Sequence, residues 1–166
     1  MKYKGFTLIE LLIVVGILAV LIGAIAAAVN PPKQFAKANN SRRWADVMNI
    51  MNAVSQNIIE GKGVFTTTTD CLQAIPTTET YIANAAAPGG EYTTYYDICG
   101  CIVPGYIGSL PVDPLKGSPA NGVASCATTY HTYYTIQRDS TSGRITIKAP
   151  LAQSEGGTTP TISLTR

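Results

Sequence analysis

The longest apolar stretch of the chain lies at its N-terminus. Residues 6–29 carry only two polar side chains, Thr7 and Glu10. As an α-helix these 24 residues would extend about 36 Å, which is enough to cross a hydrocarbon core of about 30 Å. Because Lys2 and Lys4 precede the stretch, the positive-inside rule places the N-terminus in the cytoplasm and the rest of the chain outside. The pattern predicts a membrane-spanning helix.

Two simpler interpretations of this segment are a plain membrane anchor and a cleaved secretory signal. A signal would use Ala26-Ala27-Ala28 as its small-residue cleavage site. However, the apolar run is longer than the usual 7–15 residues of a signal. In addition, Glu10 places a carboxylate one turn into the apolar run, where burial in lipid costs a few kcal/mol and ordinarily requires a partner.

A second periodic pattern follows Asn30-Pro31-Pro32, where two prolines predict a kink in the rod. From residue 33 to residue 60 apolar side chains recur at three- and four-residue steps, which predicts a long amphipathic helix. The predicted apolar stripe comprises Trp44, Val47, Met48, Met51, Val54 and Ile58. Residues placed off the stripe are Arg42, Arg43, Asp46, Asn49, Asn52 and Gln56. Gly61-Lys62-Gly63 ends the helix.

The remainder of the chain, residues 62–166, is rich in Thr, Gly, Pro and Tyr and predicts a β-rich head. Residues 128–137 and 144–149 have strand composition, and the turn residues 139–143 between them predict an antiparallel hairpin. Residues 66–69 and 85–90 are predicted to be loops, with one short strand or helix near residues 71–75.

The fold class that these patterns predict is α+β. A long N-terminal helix, with a membrane-spanning half and an amphipathic half separated at Pro31-Pro32, packs on a small antiparallel sheet. The predicted divisions are residues 1–5, 6–29, 30–61 and 62–166.

All four cysteines lie in the head, at Cys71, Cys99, Cys101 and Cys126. An even number of cysteines in a small exported domain favours two disulfides over a zinc site. Pairing Cys99 with Cys101 is disfavoured because a one-residue loop strains the bond. Two connectivities remain: Cys71–Cys99 with Cys101–Cys126, or Cys71–Cys101 with Cys99–Cys126.

Catalytic and nucleic-acid-binding chemistry is poorly represented in the sequence. The 12 basic and 10 acidic side chains nearly balance, so no nucleic-acid partner is predicted. His131 is the single histidine, and no nucleophile motif accompanies it. We therefore predict that the protein is not an enzyme, and we assign no cofactor.

Cleavage between Gly5 and Phe6 would give Glu10 a partner. Phe6 would then carry a new α-ammonium group at the start of the apolar helix. When helices bundle, that group of one copy can pair with Glu10 of a neighbouring copy, which in a low dielectric is strongly favoured over leaving either charge alone.

The segment Lys4-Gly5-Phe6-Thr7-Leu8-Ile9-Glu10-Leu11-Leu12-Ile13-Val14-Val15 resembles the N-terminal motif of type IV pilins and type II secretion pseudopilins. The resemblance implies cleavage after Gly5 and methylation of Phe6 by a prepilin peptidase, with Glu10 and Thr7 serving assembly. The implied partners are further copies of the chain, an inner-membrane platform and its ATPase. The implied location is the cytoplasmic membrane before assembly and an extracytoplasmic or cell-surface filament afterwards.

Within that family three functions remain open. The first is a subunit of a type IV pilus-like filament, the second a major pseudopilin of a type II secretion system, and the third a minor pilin that binds DNA or a surface. Leu110-Pro111-Val112-Asp113-Pro114 resembles a late loop of major pseudopilins that can hold calcium. Asp113 is therefore a candidate calcium ligand, with Asp97 or Asp139 as helpers, although a proline-fixed turn is the simpler prediction.

Overall fold

The computed structural model describes residues 5–65 and 74–166, with the backbone alone at residues 26–29. Two long helices occupy the N-terminal part, α1 (Leu8–Val29) and α2 (Pro31–Glu60). The expected loop at residues 66–69, Cys71 and most of the element expected near residues 71–75 lie outside the described residues.

The two helices are separated at Asn30 and not at the prolines themselves. Asn30 has φ 39° and ψ 75°, a left-handed conformation that asparagine tolerates better than most residues. Pro31 and Pro32 then occupy the first two positions of α2, where a missing amide hydrogen costs nothing because the first turn has no intrahelical acceptor for it. The prolines therefore start the second helix, and the break precedes them by one residue.

The described part of the head contains five short strands and one short helix, α3 (Cys99–Ile102). In chain order the strands are β1 (Thr80–Ala83), β2 (Tyr95–Tyr96), β3 (His131–Arg138), β4 (Ile145–Lys148) and β5 (Ser163–Thr165). They form one sheet in the order β2-β1-β3-β4-β5. The predicted hairpin is confirmed, since β3 and β4 pair antiparallel with Ile136 opposite Ile147.

The predicted small antiparallel sheet is present, but one of its strand pairs is parallel, so the sheet is mixed. β1 and β2 pair in parallel, with Tyr81 opposite Tyr95 and Ile82 opposite Tyr96. A parallel pair needs a long connection between its strands, and the loop that includes residues 84–94 supplies it. β1 itself was missed by the sequence pattern because four residues are too few to establish an alternation.

A bulge interrupts the antiparallel pairing of β1 with β3. Ala83 lies opposite His131 and Tyr81 opposite Thr135, so 83 − 81 = 2 steps on β1 face 135 − 131 = 4 steps on β3. Tyr133, in the middle of the bulge, has a positive φ of 60°, which is uncommon for a non-glycine residue.

The main core lies between α2 and one face of the sheet. Its buried residues include Val47, Ile50 and Val54 from α2 and Tyr134 and Ile136 from β3. A smaller cluster covers the opposite face of the sheet, where Ala83, Ala87, Tyr92 and Tyr133 are buried together. The sheet is thus packed on both faces.

The buried face of α2 differs from the predicted stripe. Trp44 is 39% exposed and Met48 49% exposed, so both were wrongly assigned to the core side, whereas Arg43 and Asp46, expected off the stripe, are buried. Val47, Met51 and Val54 of the predicted stripe are buried as expected. The full buried face comprises Ala36, Asn40, Arg43, Asp46, Val47, Ile50, Met51, Ala53, Val54 and Asn57. The large apolar side chains of Trp44 and Met48 thus shifted the predicted stripe away from the observed face.

Candidate functional site

Helix α1 has no packing partner within the described part of the chain. Each of its side chains from residue 8 to residue 25 is exposed, although nearly all of them are apolar. The helix has 22 residues, which correspond to about 33 Å, and it is long and apolar enough to cross a membrane. A surface of this kind requires lipid or other protein around it.

Thr7 and Glu10 form a capping box at the start of α1. The backbone N–H and the hydroxyl of Thr7 donate to Glu10 Oε2 at 2.9 Å and 2.8 Å, and the N–H of Glu10 donates to Thr7 Oγ1 at 3.3 Å. These bonds satisfy amide hydrogens that the first helical turn otherwise leaves free. The structure thus brings together the two polar residues that the sequence assigned to assembly.

The peptide bond between Gly5 and Phe6 lies in irregular backbone before the helix. Phe6 is 87% exposed, and no atom lies within 4 Å of the position that a Cβ on Gly5 would occupy. Among the described residues, no side chain therefore crowds Gly5 on its Cβ side or covers Phe6.

A buried ion pair joins α2 to the head. Arg43 Nε donates to Asp113 Oδ2 at 2.7 Å and Arg43 Nη2 to Asp113 Oδ1 at 3.3 Å. The Arg43 side chain is fully buried and that of Asp113 almost so. The remaining guanidinium nitrogen donates to Asn40 Oδ1 at 3.0 Å. Buried charges are stable only when paired and hydrogen-bonded, so this pair fixes the position of the head along α2.

Asp113, the candidate calcium ligand, is held for that pairing by its own loop. Its Oδ1 accepts the N–H groups of Leu115 and Lys116 at 3.0 Å and 3.1 Å. Its backbone N–H donates to the carbonyl of Thr132 in β3 at 2.8 Å. The guanidinium of Arg43 supplies the positive charge that a cation would otherwise bring to this carboxylate.

The other two aspartates proposed as helpers are engaged separately. Asp97 Oδ1 accepts the Cys99 N–H and the Tyr130 hydroxyl. Asp139 Oδ1 accepts the N–H groups of Thr141 and Ser142 in the β3–β4 turn. Among the described residues, no group of three or more His, Cys, Asp or Glu side chains is arranged to hold a metal ion.

A second buried polar contact lies one turn further along α2. The Tyr134 hydroxyl donates to Asp46 Oδ2 at 2.7 Å. Burial raises the pKa of Asp46 above its usual value, and the hydrogen bond from Tyr134 and the charge of Arg42 only partly oppose this. Burial, together with the Asp46 carboxylate, also raises the pKa of Tyr134, so this hydroxyl keeps its proton.

Asn40 attaches the loop after β4 to the first half of α2. Its Nδ2 donates to the carbonyl of Gln153 at 2.8 Å and to Glu155 Oε1 at 2.8 Å, while its Oδ1 accepts the N–H of Gln153 at 2.9 Å. Asn39 Nδ2 adds a bond to Gln153 Oε1 at 2.7 Å. The amide of Asn40 thus pairs with this backbone as a neighbouring strand would.

The cysteines stabilise the part of the head that surrounds α3. Cys99 and Cys126 form a disulfide with a Cα–Cα distance of 5.5 Å. This bond is contained in the second of the two connectivities that the sequence left open. Cys101 is disulfide-bonded as well, and Cys71 lies outside the described residues.

His131 is buried in the outer cluster and not at a surface. Its Nδ1 lies 2.8 Å from the Tyr92 hydroxyl, and the Tyr92 ring stacks on Tyr81 with ring centroids 4.3 Å apart. Tyr133 meets Tyr92 edge-on at 5.7 Å. The packing occupies the single histidine and three of the tyrosines, and no serine or cysteine nucleophile bonds to the imidazole among the described contacts.

Sequence reasoning missed the residues that attach the head to α2, namely Asn40, Arg43 and Asp46. Their positions did carry a signal. Asn40, Arg43, Val47 and Ile50 continue one series of three- and four-residue steps. Charged side chains are rarely fully buried unless paired, and the partner of Arg43, Asp113, lies 70 positions away, so the sequence pattern alone does not indicate its burial.

Comparison with known proteins identifies the N-terminal segment alone. Residues 1–26 match the family model described as the prokaryotic N-terminal methylation motif. This motif is the class-III signal of type IV pilins and pseudopilins. No curated protein and no solved structure matches the chain.

Proposed function

We propose that this chain is the precursor of a structural filament subunit that is cleaved after Gly5, methylated on Phe6 and assembled through α1. The observation that carries the proposal is the juxtaposition at the N-terminus. A fully exposed apolar helix begins with one carboxylate, that of Glu10, immediately after an accessible Gly5–Phe6 bond inside a methylation motif.

Before assembly, α1 spans the cytoplasmic membrane and the head lies outside it. The capping box satisfies Glu10 locally in this state, because one carboxylate oxygen already accepts two hydrogen bonds from Thr7. The cost of holding a carboxylate near the apolar region is thereby reduced but not removed.

During assembly, helices of many copies exchange lipid for one another. The α-ammonium of Phe6 in one copy pairs with Glu10 of a neighbour, and both charges remain compensated in a low-dielectric bundle. Since the contact joins two different surfaces of the chain, it repeats without closing and produces a helical filament. The partners are further copies of the chain, a prepilin peptidase, and a membrane platform driven by a cytoplasmic ATPase.

A structural role accounts for the head without enzyme chemistry. Its buried charged side chains attach it to α2, and its single histidine is packed among tyrosines. We therefore propose that the protein is not an enzyme and that it needs no metal or other cofactor. DNA or surface binding by a minor pilin is the least favoured alternative, because the head has no basic patch in its sequence.

The test is mass spectrometry of the mature N-terminus. Material sheared from cells is expected to begin with methylated Phe6. Gly5→Val is the matched control, and it is expected to block processing because it changes the residue before the cleaved bond. The added side chain enters open space, so the fold should be unaffected. A mature protein that begins near Ala28, or one that retains residues 1–5 within filaments, would contradict the proposal.

The position of the polymer then decides between a pilus and a secretion pseudopilus. Long surface fibres containing this chain support the pilus. Absence of fibres, together with loss of protein secretion when the chain is deleted, supports the pseudopilin, which the resemblance of residues 110–114 also suggests. Free monomers with no lateral association contradict both.

A further inference from the structure

The first two turns of α2 carry an exposed aromatic ring between two lysines. Phe35 is 70% exposed, although it lies on the helix that forms the core of the head. Lys37 is exposed, and the half-buried Lys33 extends over Gly156, where a Cβ would come within 3.2 Å of Lys33 Cε and Nζ. Within the described residues neither lysine forms an ion pair.

These three side chains surround the helix at one level. Lys33 and Lys37 are four residues apart and share a face. Phe35 is two residues from each, or about 200° around the helix. The level is immediately above the break at Asn30, where the apolar span ends. Two helical turns rise about 10 Å, which is comparable to the headgroup layer of about 5–8 Å on each side of a bilayer.

The charge around this level has one sign along the helix. Basic side chains occur at Lys33, Lys37, Arg42 and Arg43 before the first carboxylate of α2, Asp46. Arg43 is occupied by Asp113 and Arg42 lies 3.9 Å from Asp46, so the two lysines remain available to a partner. Glu155, from the loop packed at this end, is bonded to Asn40.

The positions of Lys33 and Lys37 relative to the membrane are unusual. On the proposed orientation they lie on the translocated side of the membrane, where the positive-inside rule expects few basic residues close to the span. Their presence there is unfavourable for topology and calls for a compensating contact. Anionic headgroups in the outer leaflet would offer that contact at the required height.

We infer that Phe35, Lys33 and Lys37 form a docking ring for the outer leaflet, in which the ring of Phe35 inserts at the headgroup boundary and the lysines bind anionic phospholipid phosphates. The inference rests on the proposed function, because it needs the membrane-anchored state that precedes assembly. Its consequence is that the subunit is held at a defined height, with the loop around Gly156 beside Lys33 at the headgroup level.

Tryptophan fluorescence of the full, uncleaved chain in vesicles tests the height. Trp44 is the only tryptophan and lies about 20 Å beyond the start of α2, so it serves as the native control. In Phe35→Trp/Trp44→Phe, emission is expected to be quenched by lipids brominated near the headgroup and shielded from iodide. The wild-type Trp44 is expected to show the opposite. Equal iodide quenching at both positions would contradict the insertion of residue 35 at the headgroup boundary.

The lysines are tested by energy transfer from the introduced tryptophan of that double variant to headgroup-labelled phosphatidylglycerol or phosphatidylcholine. Lys33→Gln/Lys37→Gln, made in the Phe35→Trp/Trp44→Phe background, is expected to reduce the preference for phosphatidylglycerol by up to about fivefold per lysine. Lys62→Gln, the same charge change at the far end of α2, will leave it unchanged. The preference of the parent is also expected to fall with added salt.

Two results would refute the lipid assignment. One is an unchanged lipid preference in the variant that lacks both lysines. The other is reduced cross-linking between copies with no change at the lipid, which would assign the lysines to a protein neighbour. Because the measurement uses uncleaved chain and needs no filament, a failure of processing or assembly would leave its outcome readable.

Discussion

Helices α1 and α2 adjoin in sequence on either side of Asn30, but their side chains find partners in different places. Every described side chain of α1 from residue 8 onward is exposed, and its polar contacts are confined to Thr7 and Glu10. α2 buries one complete face against the head and uses charged residues to do so, with Arg43 on Asp113 and Asp46 on Tyr134.

The difference separates folding from association. The contacts that determine the stability of the head are complete within one chain, since no described buried side-chain nitrogen or oxygen lacks a hydrogen-bond partner. The apolar surface of α1 is not covered within one chain. We therefore expect substitutions in α1 to act on assembly and substitutions on the inner face of α2 to act on unfolding.

The largest effect is expected for Glu10→Val. In the proposed filament, the variant would leave the α-ammonium of each Phe6 without its partner in the bundle, and an uncompensated buried charge costs about 3–5 kcal/mol. The loss is repeated at every subunit contact, so filament yield, measured by sedimentation of sheared material, should fall by at least about a hundredfold.

The same variant checks the separation of roles. Membrane insertion and the urea midpoint of the head, followed by Trp44 fluorescence, should remain as in the wild type. Thr7→Val is the companion variant, because it removes the hydroxyl that bonds to the carboxylate but keeps the charge, and it should reduce yield far less. Normal filaments from Glu10→Val would remove the role assigned to Glu10.

Arg43→Met should cause the next largest effect, and it acts on folding. It strands the Asp113 carboxylate in the core, and breaking a buried pair in this way costs about 3–5 kcal/mol. The measurement is urea unfolding of the full chain in detergent.

The neighbouring residue supplies a matched control. Arg42 is half exposed and lies 3.9 Å from Asp46, so Arg42→Met should change the free energy of unfolding by less than about 0.5 kcal/mol. Equal effects of the two substitutions would show that burial of the Arg43–Asp113 pair contributes nothing to stability.

Removal of the disulfide in Cys99→Ala/Cys126→Ala is expected to destabilise the head by about 3–4 kcal/mol. The estimate follows from a sequence separation of 27 residues, because the bond restricts the unfolded chain over that length. Insertion of α1 into membranes should be unaffected, as no cysteine lies near it. A variant that unfolds at the wild-type urea concentration would contradict the estimate.

The smallest effect concerns pH. Burial raises the pKa of Asp46 above 3.8, so the folded state binds this proton more tightly than the unfolded state. Stability contributed by this group is therefore lost as pH rises from 3.8 through the raised folded pKa. Asp46→Asn keeps an acceptor for Tyr134 and removes the charge, so this variant should be more stable than the wild type at neutral pH.

The check is a series of urea titrations between acidic and neutral pH. The difference between Asp46→Asn and the wild type should grow as pH rises. Tyr134→Phe removes the hydrogen bond that lowers the pKa of Asp46. The unfolding free energy of this variant should therefore fall more steeply with rising pH than that of the wild type. A variant that is less stable than the wild type at neutral pH would show that the Asp46 charge is favourable in the fold.

Local patterns predicted the elements whose signals are local. The apolar run gave α1, and the alternation flanking Asp139 gave the β3–β4 hairpin. The Thr7–Glu10 capping box was not predicted, although the three-residue spacing of these two side chains is a local signal for it. These features need no knowledge of the rest of the chain.

Features that depend on distant partners were not predictable in the same way. The burial of Arg43 depends on a loop 70 residues later, and the parallel pairing of β2 with β1 depends on the course of a long connection. Trp44 and Met48 are apolar but exposed, because the head covers a face defined by Asn40, Arg43 and Val47. The residue type alone therefore does not determine whether a side chain is buried, because burial also depends on which face of the helix the head covers.

The bulge in β3 also fixes the parity of that strand. Four steps on β3, from His131 to Thr135, face two steps on β1, so the bulge contains two extra residues. Because two is an even number, side chains on both sides of the bulge keep the same inward and outward alternation. Tyr130 and Tyr134 consequently share the core with α2, while His131 and Tyr133 share the outer cluster. An odd deletion at this point would exchange the two sets for half of the strand, since side chains alternate with a period of two.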